Sequence, residues 1–541
     1  DELDDLGHRS GRDRFGRRRR RPALTSRRSR LAVWIVTAVV LAVGTRDLVA
    51  GGLPLVGQFL PFLSWTGTWH HLFAGWQAPG VGTTAPASPA FGVLGLAGTV
   101  LFGGMGLLQK ILVIGCIPLG AWGVSRFLKP LVSPRARIVA AVCYLGLSLP
   151  YDALAQGRWD GLIAYAAVPW ILARLASAAG LRPFGDAGSD PAPGSGGGGW
   201  RRRVVGQVVV LGAIEGVTVA VAPATAVVVL LCGAGIVVGS LLVGEGRRSL
   251  RALGVAAGST VVAAVLCLPW VIGTLAAGQS AVSVFGLAGS PSAAPDWSQL
   301  LRFDVGPTGG SALSWLLVAA GLVPLVLARG DRLAWAGRLW IVACGSWVLA
   351  LAVARGWTAP FSPSVDVLLA PAAVAVACGV GLGISAFEID LSGYQFGWRQ
   401  LVAAISVAAA AVGLLPVIVA AGGGRWGLPV TGYGQPLSFL ADSGSNGSSN
   451  GSSGAGSANA AANAATNSGA NANANANAGS AYRVLWLGDP RALPTGGWSV
   501  DPGLAYATSE QGTPDATNLW SPASPGPAAG LAAVVQLAQA G

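Results

Sequence analysis

Apolar runs of about 17–25 residues recur along this chain, each long enough to cross the roughly 30 Å of hydrocarbon in a bilayer. Polar breaks place the spans at 31–44, 110–127, 137–155, 161–179, 204–222, 224–244, 252–275, 311–328, 334–354, 366–386 and 400–421. The glycine-rich stretch 92–108 is apolar but short. Between the first span and that stretch runs TRDLVAGGLPLVGQFLPFLSWTGTWHHLFAGWQAPGVGTTAPASPA, residues 45–90. It is too rich in Gly and Pro to be a span, and it carries Arg46 and Asp47 at its start and Trp65, Trp69, His70, His71 and Trp76 further on.

Charge decides how 92–108 sits. The most basic short loops are 126–137, 201–203, 247–251 and 329–332. Were 92–108 to cross, all four would face outward; lying flat, it leaves all four on the cytoplasmic side, as the positive-inside bias requires. The expectation is about eleven transmembrane helices, an all-α polytopic membrane protein with its N-terminus cytoplasmic and its C-terminus extracytoplasmic. The loop 45–108 is then external, in a plasma-membrane protein.

Composition agrees. The 541 residues are 52% hydrophobic and only 11% charged, and mean hydropathy is +0.58. A soluble domain carries about 25% charged residues, so lipid must serve as part of the solvent. The formal charge of +12 comes largely from an arginine-rich arm at 1–30. Beside a span and without an aromatic-bearing module, that arm reads as an anchor on anionic lipids, and no nucleic acid is expected. It is not followed by a small-residue cleavage site, so it does not read as a signal peptide.

All six cysteines lie in apolar runs without CxxC or Cys/His spacing and read as core side chains. Residues 422–481 form a low-complexity tether, densest in Ser, Gly, Asn and Ala over 443–480. Within it the N-G-S sequons at Asn446 and Asn450 are products of the repeat. Residues 181–200 read as a cytoplasmic loop. After the tether, Tyr482–Leu487 reads as a strand with a turn at 488–490, opening a short α/β extracytoplasmic domain over 482–541 that ends on a helix at 530–540. A chain starting with Asp1 and stopping there is expected to be truncated at both ends.

No Walker A, nucleophile elbow, HExxH or DxD motif is present. The external loops instead hold isolated acids, arginines and tryptophans near span ends. These are Asp152, Arg158 and Asp160 in 151–160, Asp296, Trp297, Arg302 and Asp304 in 276–310, and Arg355, Trp357 and Asp366 in 355–366. Asp47, where the first span meets the surface, can reach both a lipid head group and water. A carboxylate there can take the proton of an acceptor hydroxyl. Arg158, Arg302 and Arg355 suit phosphate oxygens through their planar forks. Arg46, Trp69, His70, His71, Asp160 and Asp304 complete the candidate binding set, the tryptophans as sugar platforms or as an aromatic belt. His70 and His71 lack a third ligand, so no metal site is assigned. No cofactor is assigned either, a divalent metal being left open. Arg46 and Asp47 can also be read as an interfacial pair ending a helix. Glu215, inside a span, is a functional candidate by default or a hydrogen-bonded packing group, and Arg338 is expected to snorkel.

RDLVAGG (46–52), GWQAPGVGTTAPASPA (75–90), LPYDALAQGRWDGLIAYAAVPW (149–170) and YRVLWLGDPRALP (482–494) resemble the membrane region of large actinobacterial family 2 glycosyltransferases. The layout resembles a GT-C-type polyprenyl-phosphate-sugar transferase. The resemblance implies sugar transfer from a polyprenyl-phosphate donor to a cell-envelope glycan acceptor at the outer face, with Asp47 in the place of the first-loop catalytic acid. It also implies a preceding cytoplasmic nucleotide-sugar domain, which these residues do not include. Two other functions fit the same pattern: a flippase or transporter for lipid-linked glycans, which needs charges along a path through the bundle, and a non-catalytic anchor for such a cytoplasmic domain. An outer pocket lined by Asp47, Arg158 and Arg302 is the feature expected of the transferase.

Overall fold

In the computed structural model, the described residues are 27–54, 56–59, 62–74, 87–184, 198–244, 246–276, 294–358, 361–389, 398–430, 497–501 and 504–507. Most of the basic arm, Trp76, the repeats at 443–480, the strand expected at 482–487 and the helix expected at 530–540 lie outside them.

The first helix, α1 (Arg27–Gly51), runs seven residues past the expected end of its span. Nothing in VGTRDLVAG halts a helix until Gly51 and Gly52, the latter at φ 98°; glycine reaches that left-handed region without a steric penalty. Arg46 and Asp47 are therefore helical residues near its last turn. Two short helices follow, α2 (Trp65–Phe73) and α3 (Ala90–Val100). Ser64 caps α2, its hydroxyl accepting from the Gly67 N–H, as N-cap serines do. At 11 residues, α3 is about 16 Å long and cannot cross.

Next come α4 (Met105–Phe127), α5 (Pro134–Leu145) continued by α6 (Leu149–Ala155), and α7 (Trp159–Ala178). They are followed by α8 (Gly198–Val221), α9 (Thr225–Val243), α10 (Gly246–Leu266) and the short α11 (Leu268–Ala276) and α12 (Trp297–Leu301). The expected span 311–328 is two pieces, α13 (Ser314–Leu322) and α14 (Pro324–Leu327), the second with Pro324 in its first turn. Then come α15 (Asp331–Ala354), α16 (Val365–Ile389), and α17 (Trp398–Gly413) continued by α18 (Leu415–Ala421). Ten helical stretches among the described residues are long and apolar enough to cross a membrane, and the chain is a multi-pass helical membrane protein. A two-stranded antiparallel hairpin, β1 (Gly497–Asp501) with β2 (Leu504–Ala507), is the only sheet among the described residues.

Contacts between connections sort the bundle into two ends. At one end the Asp47 N–H donates to the Gly424 carbonyl (3.3 Å), Gln58 to Gly157 (2.8 Å), Ser88 to Ala220 (3.0 Å) and Ser148 to Phe303 (2.7 Å). This loop end gathers the C-terminus of α1, all of α2 and α3, and the connections α6–α7, α8–α9, α12–α13, α15–α16 and the segment after α18. At the other end Arg135 approaches Glu388 and Trp335 donates to the Arg182 carbonyl (2.6 Å). Since α1 and α18 finish together, an even number of passes must separate them. With α3 too short to cross, the passes from α4 to α18 reach an even number, ten, only if α13–α14 is one of them. Counted that way, α1 and these ten make eleven.

The hub is α16: 94% of its most apolar window is buried inside the protein, and α15, α5, α13 and α7 surround it. Glycines allow the closest approaches. A Cβ on Gly379 would stand 3.0 Å from Gly321 Cα and closer still to its carbonyl oxygen, and one on Gly381 2.8 Å from Ala140; such small-residue contacts dominate helix packing in lipid. The most apolar windows of α1 and α17–α18 are only 17% and 22% buried. Their remaining surface faces lipid.

Candidate functional site

The loop end holds two polar groups. The first surrounds Asp47. Its carboxylate lies 3.6 Å from Arg46 Nε and 3.7 Å from Arg425 Nε, and 40% of its side chain is exposed. Arg46 also donates to the Val43 carbonyl and to the Gly422 carbonyl, each at 3.0 Å. On α4, Lys110 Nζ donates to the Val49 carbonyl at 2.8 Å. Three cations thus cluster at the carbonyl end of α1, where helix carbonyls lack intrahelical partners and favour positive charge. Half-exposed ion pairs beyond 3.5 Å contribute about 0–1 kcal/mol to stability. This cluster does little to hold the fold and leaves a carboxylate and guanidinium edges open to a ligand.

The second group is built around two buried aspartates, Asp152 and Asp366. Asp366, in the first turn of α16, accepts from Arg158 Nη1 at 2.7 Å. Asp160, in the first turn of α7, accepts at one oxygen from the Ser364 hydroxyl (2.6 Å), while its N–H donates to Gln58 Oε1 (3.1 Å). One oxygen of Asp152 accepts from both the backbone and the hydroxyl of Thr308, at 2.7 and 2.6 Å. Arg302 pairs with Asp304 at 3.0 Å. These pairs stitch α6, α7, α16 and the 302–313 connection together. The second oxygens of Asp152 and Asp366 are buried without a hydrogen-bond partner in the structure.

Asp47, Arg158 and Arg302, expected to line one outer pocket, each have a charged partner of their own. Asp47 pairs with Arg46 and Arg425, while Arg158 and Arg302 are each committed to an aspartate. Arg355 sits elsewhere, 3.5 Å from the exposed Asp296. Segment Gly422–Leu428, expected in the tether, joins the two groups: Gly424 touches Asp47, and Gly427 lies against Pro307 and Ala155. Arg425 was the residue the sequence reading lacked. Its signal was an Arg–Trp pair among glycines directly after the last span, GGGRWG.

The histidines and Trp69 lie in the α2–α3 hairpin. Trp69 stacks on Phe73 (6.0 Å) and covers Gly95, and Trp65 donates to the Thr99 hydroxyl (3.0 Å). His71 meets Phe91 edge-on at 4.4 Å. Burial, then the neighbouring His70, pulls its pKa from the ordinary 6.5 down to about 4. Trp69 and His71 thus serve packing, whereas His70 is exposed. Among the described residues, no group of three or more His, Cys, Asp or Glu is set to hold a metal.

Arg338 and Cys344 depart from expectation, while Glu215 has the hydrogen bond that one of its two readings allows. Arg338 does not snorkel: it is buried, donates to the Ser240 hydroxyl at 2.8 Å and lies 5.0 Å from the centre of the Trp335 ring. Glu215 accepts from the Thr260 hydroxyl at 2.7 Å. Cys344 is exposed, unlike the other five cysteines, which are buried.

No family model matches the chain, and no curated protein matches it. Among solved structures, the crystal structure of the Archaeoglobus fulgidus oligosaccharyltransferase in the apo form is similar. Identity is 14%, the TM-score is 0.43, and the match covers 78% of this chain and 58% of that one. The match thus spans less than two thirds of that protein. A superposition this loose assigns neither residues nor an activity.

Proposed function

We propose that this protein is a membrane glycosyltransferase of GT-C type that takes a sugar from a polyprenyl-phosphate donor at the loop end of the bundle, with Asp47 as general base. The observation that carries the reading is the placement of the Asp47 group. A half-exposed carboxylate flanked by Arg46 and Arg425 sits at the joined ends of α1 and α18, and these helices belong to the two least buried spans. A lipid-borne substrate moving in the bilayer meets those helices first.

In the proposed reaction the acceptor hydroxyl oxygen attacks the anomeric carbon. The bond from that carbon to the phosphate oxygen breaks, and the electron pair leaves with the polyprenyl phosphate. Asp47 takes the hydroxyl proton, and Arg46 and Arg425 stabilise the charge growing on the phosphate. The displacement inverts the anomeric centre. The acceptor is proposed to be a cell-envelope glycan, and the loop end to face outward, which puts the basic connections inside.

The buried charges disfavour a transporter. Among the described residues they are Asp152, Glu215, Arg338 and Asp366. Two belong to the loop-end network, Arg338 is held by Ser240, and Glu215 is held by Thr260 between α8 and α10. They do not form a relay across the bundle.

The test is Asp47→Asn in full-length protein reconstituted in lipid, assayed with a radiolabelled polyprenyl-phosphate sugar. Transfer should fall at least about 100-fold, the range expected for loss of a general base, with yield and melting temperature unchanged. Undiminished transfer would remove Asp47 from the site.

A further inference from the structure

The segment after α18 carries more strain and more burial than a connection to a tether requires. Gly424, Trp426 and Gly427 all have positive φ, at 72°, 51° and 82°. Two are glycines, but a tryptophan in that region is a steric outlier. Trp426 is nevertheless fully buried. Its ring stacks on Tyr151 with centroids 4.0 Å apart, and Tyr151 is itself fixed by its hydroxyl donating to the Leu145 carbonyl at 2.8 Å. On the other side the indole presses on α1 at Gly44: a Cβ there would stand 2.7 Å from Nε1 and closer still to the ring carbons. Gly44 lies one helical turn before Asp47.

We propose that Trp426 is a positioning residue for the transfer reaction: its indole, wedged between α1 and α6, turns the preceding residue, Arg425, back onto Asp47. The inference rests on the transferase reading of Asp47. The geometry supports it from both sides. Arg425 and Trp426 are adjacent, so fixing the indole fixes the backbone from which the guanidinium departs. The same strap accepts the Asp47 N–H at the Gly424 carbonyl and an Arg46 N–H at the Gly422 carbonyl. Asp47, Arg46 and Arg425 are thus registered by one seven-residue segment. Gly424 is required because a Cβ there would stand 2.7 Å from Asp47 Oδ2. Trp426 holds a left-handed backbone two residues after Gly424, the residue whose carbonyl accepts the Asp47 N–H.

The experiment uses the full chain in lipid nanodiscs, with hydrogen exchange at the Asp47 amide and steady-state transfer as separate readouts. Trp426→Ala should speed exchange at that amide and lower kcat about tenfold or more, as misplacement of a reacting group does. Donor KM should change less than about twofold, the pattern of an interaction lost in the transition state. Trp426→Phe, which keeps a ring against Tyr151, should restore most of both. Arg425→Ala should lower kcat with exchange unchanged, and Trp426→Ala added to it should cost nothing further, since residues acting in series are not additive. Unchanged exchange in Trp426→Ala, or a kcat loss that adds fully to that of Arg425→Ala, would overturn the proposal. Failure of the transferase reading is distinguishable: the unaltered protein would then show no transfer, or Asp47→Asn would retain it, while exchange at the Asp47 amide still reported on the strap.

Discussion

At the scale of single residues, the loop end separates charges that hold the protein from charges left open. Arg158 and Asp366 hold it. The Asp366 side chain is fully buried while 36% of Arg158 is exposed, so Arg158→Ala would strand a buried carboxylate. Removing one partner of a fully buried pair costs about 3–5 kcal/mol; solvent screening at the part-exposed Arg158 reduces that, and unfolding in detergent should show a loss of about 1–3 kcal/mol. Glu215 is a packing group in this account: Glu215→Gln should keep its bond to Thr260 and retain transfer, whereas a transporter relay would lose function. His71 gives a pH signature. Its folded pKa, about 4, lies below its ordinary 6.5. The unfolded state therefore binds the proton more readily, and stability is full above about pH 6.5 and lost as pH falls toward 4. Exchange protection across α2 and α3 should weaken over that window and stay level above it. Asp47 was legible from its place at the end of the first span. Its partner Arg425 was not, because it lies 378 positions away, a contact that only folding makes.

Among the elements, periodicity and length revealed the long helices because lipid imposes both. Two elements needed more. The span expected over 311–328 is broken at Val323–Pro324, and its crossing follows from what its ends touch. Leu327 and Ala328 cluster with Ala386 and Ala403 at one end, while Thr308 binds Asp152 at the other. The stretch 92–108 is a short helix followed by the start of α4, and charge placement had already argued against its crossing. The close approach of α16 to α13 was invisible in the sequence, because a glycine in a membrane helix does not announce its neighbour. Gly379→Val would push into the Gly321 backbone. Overpacking of this kind costs about 1–3 kcal/mol or more, and folded yield should fall well below that of Gly337→Val, whose position has open space around it.

For the whole molecule, the described helices bring distant segments to a common face. The hub α16 is enclosed by its neighbours, and α1 and α17–α18 form the edge turned to lipid. With the loop end outside, as proposed, a membrane-impermeant thiol reagent should label Thr358→Cys in intact cells and should not label Ser133→Cys. The most direct measurement is photo-crosslinking of the reconstituted protein with a polyprenyl phosphate bearing a photoreactive group beside the phosphate. Crosslinks are predicted within 43–51 and 415–426, and excess unlabelled polyprenyl phosphate should abolish them. Crosslinks confined to other helices, or spread evenly around the bundle without competition, would contradict a donor site at Asp47.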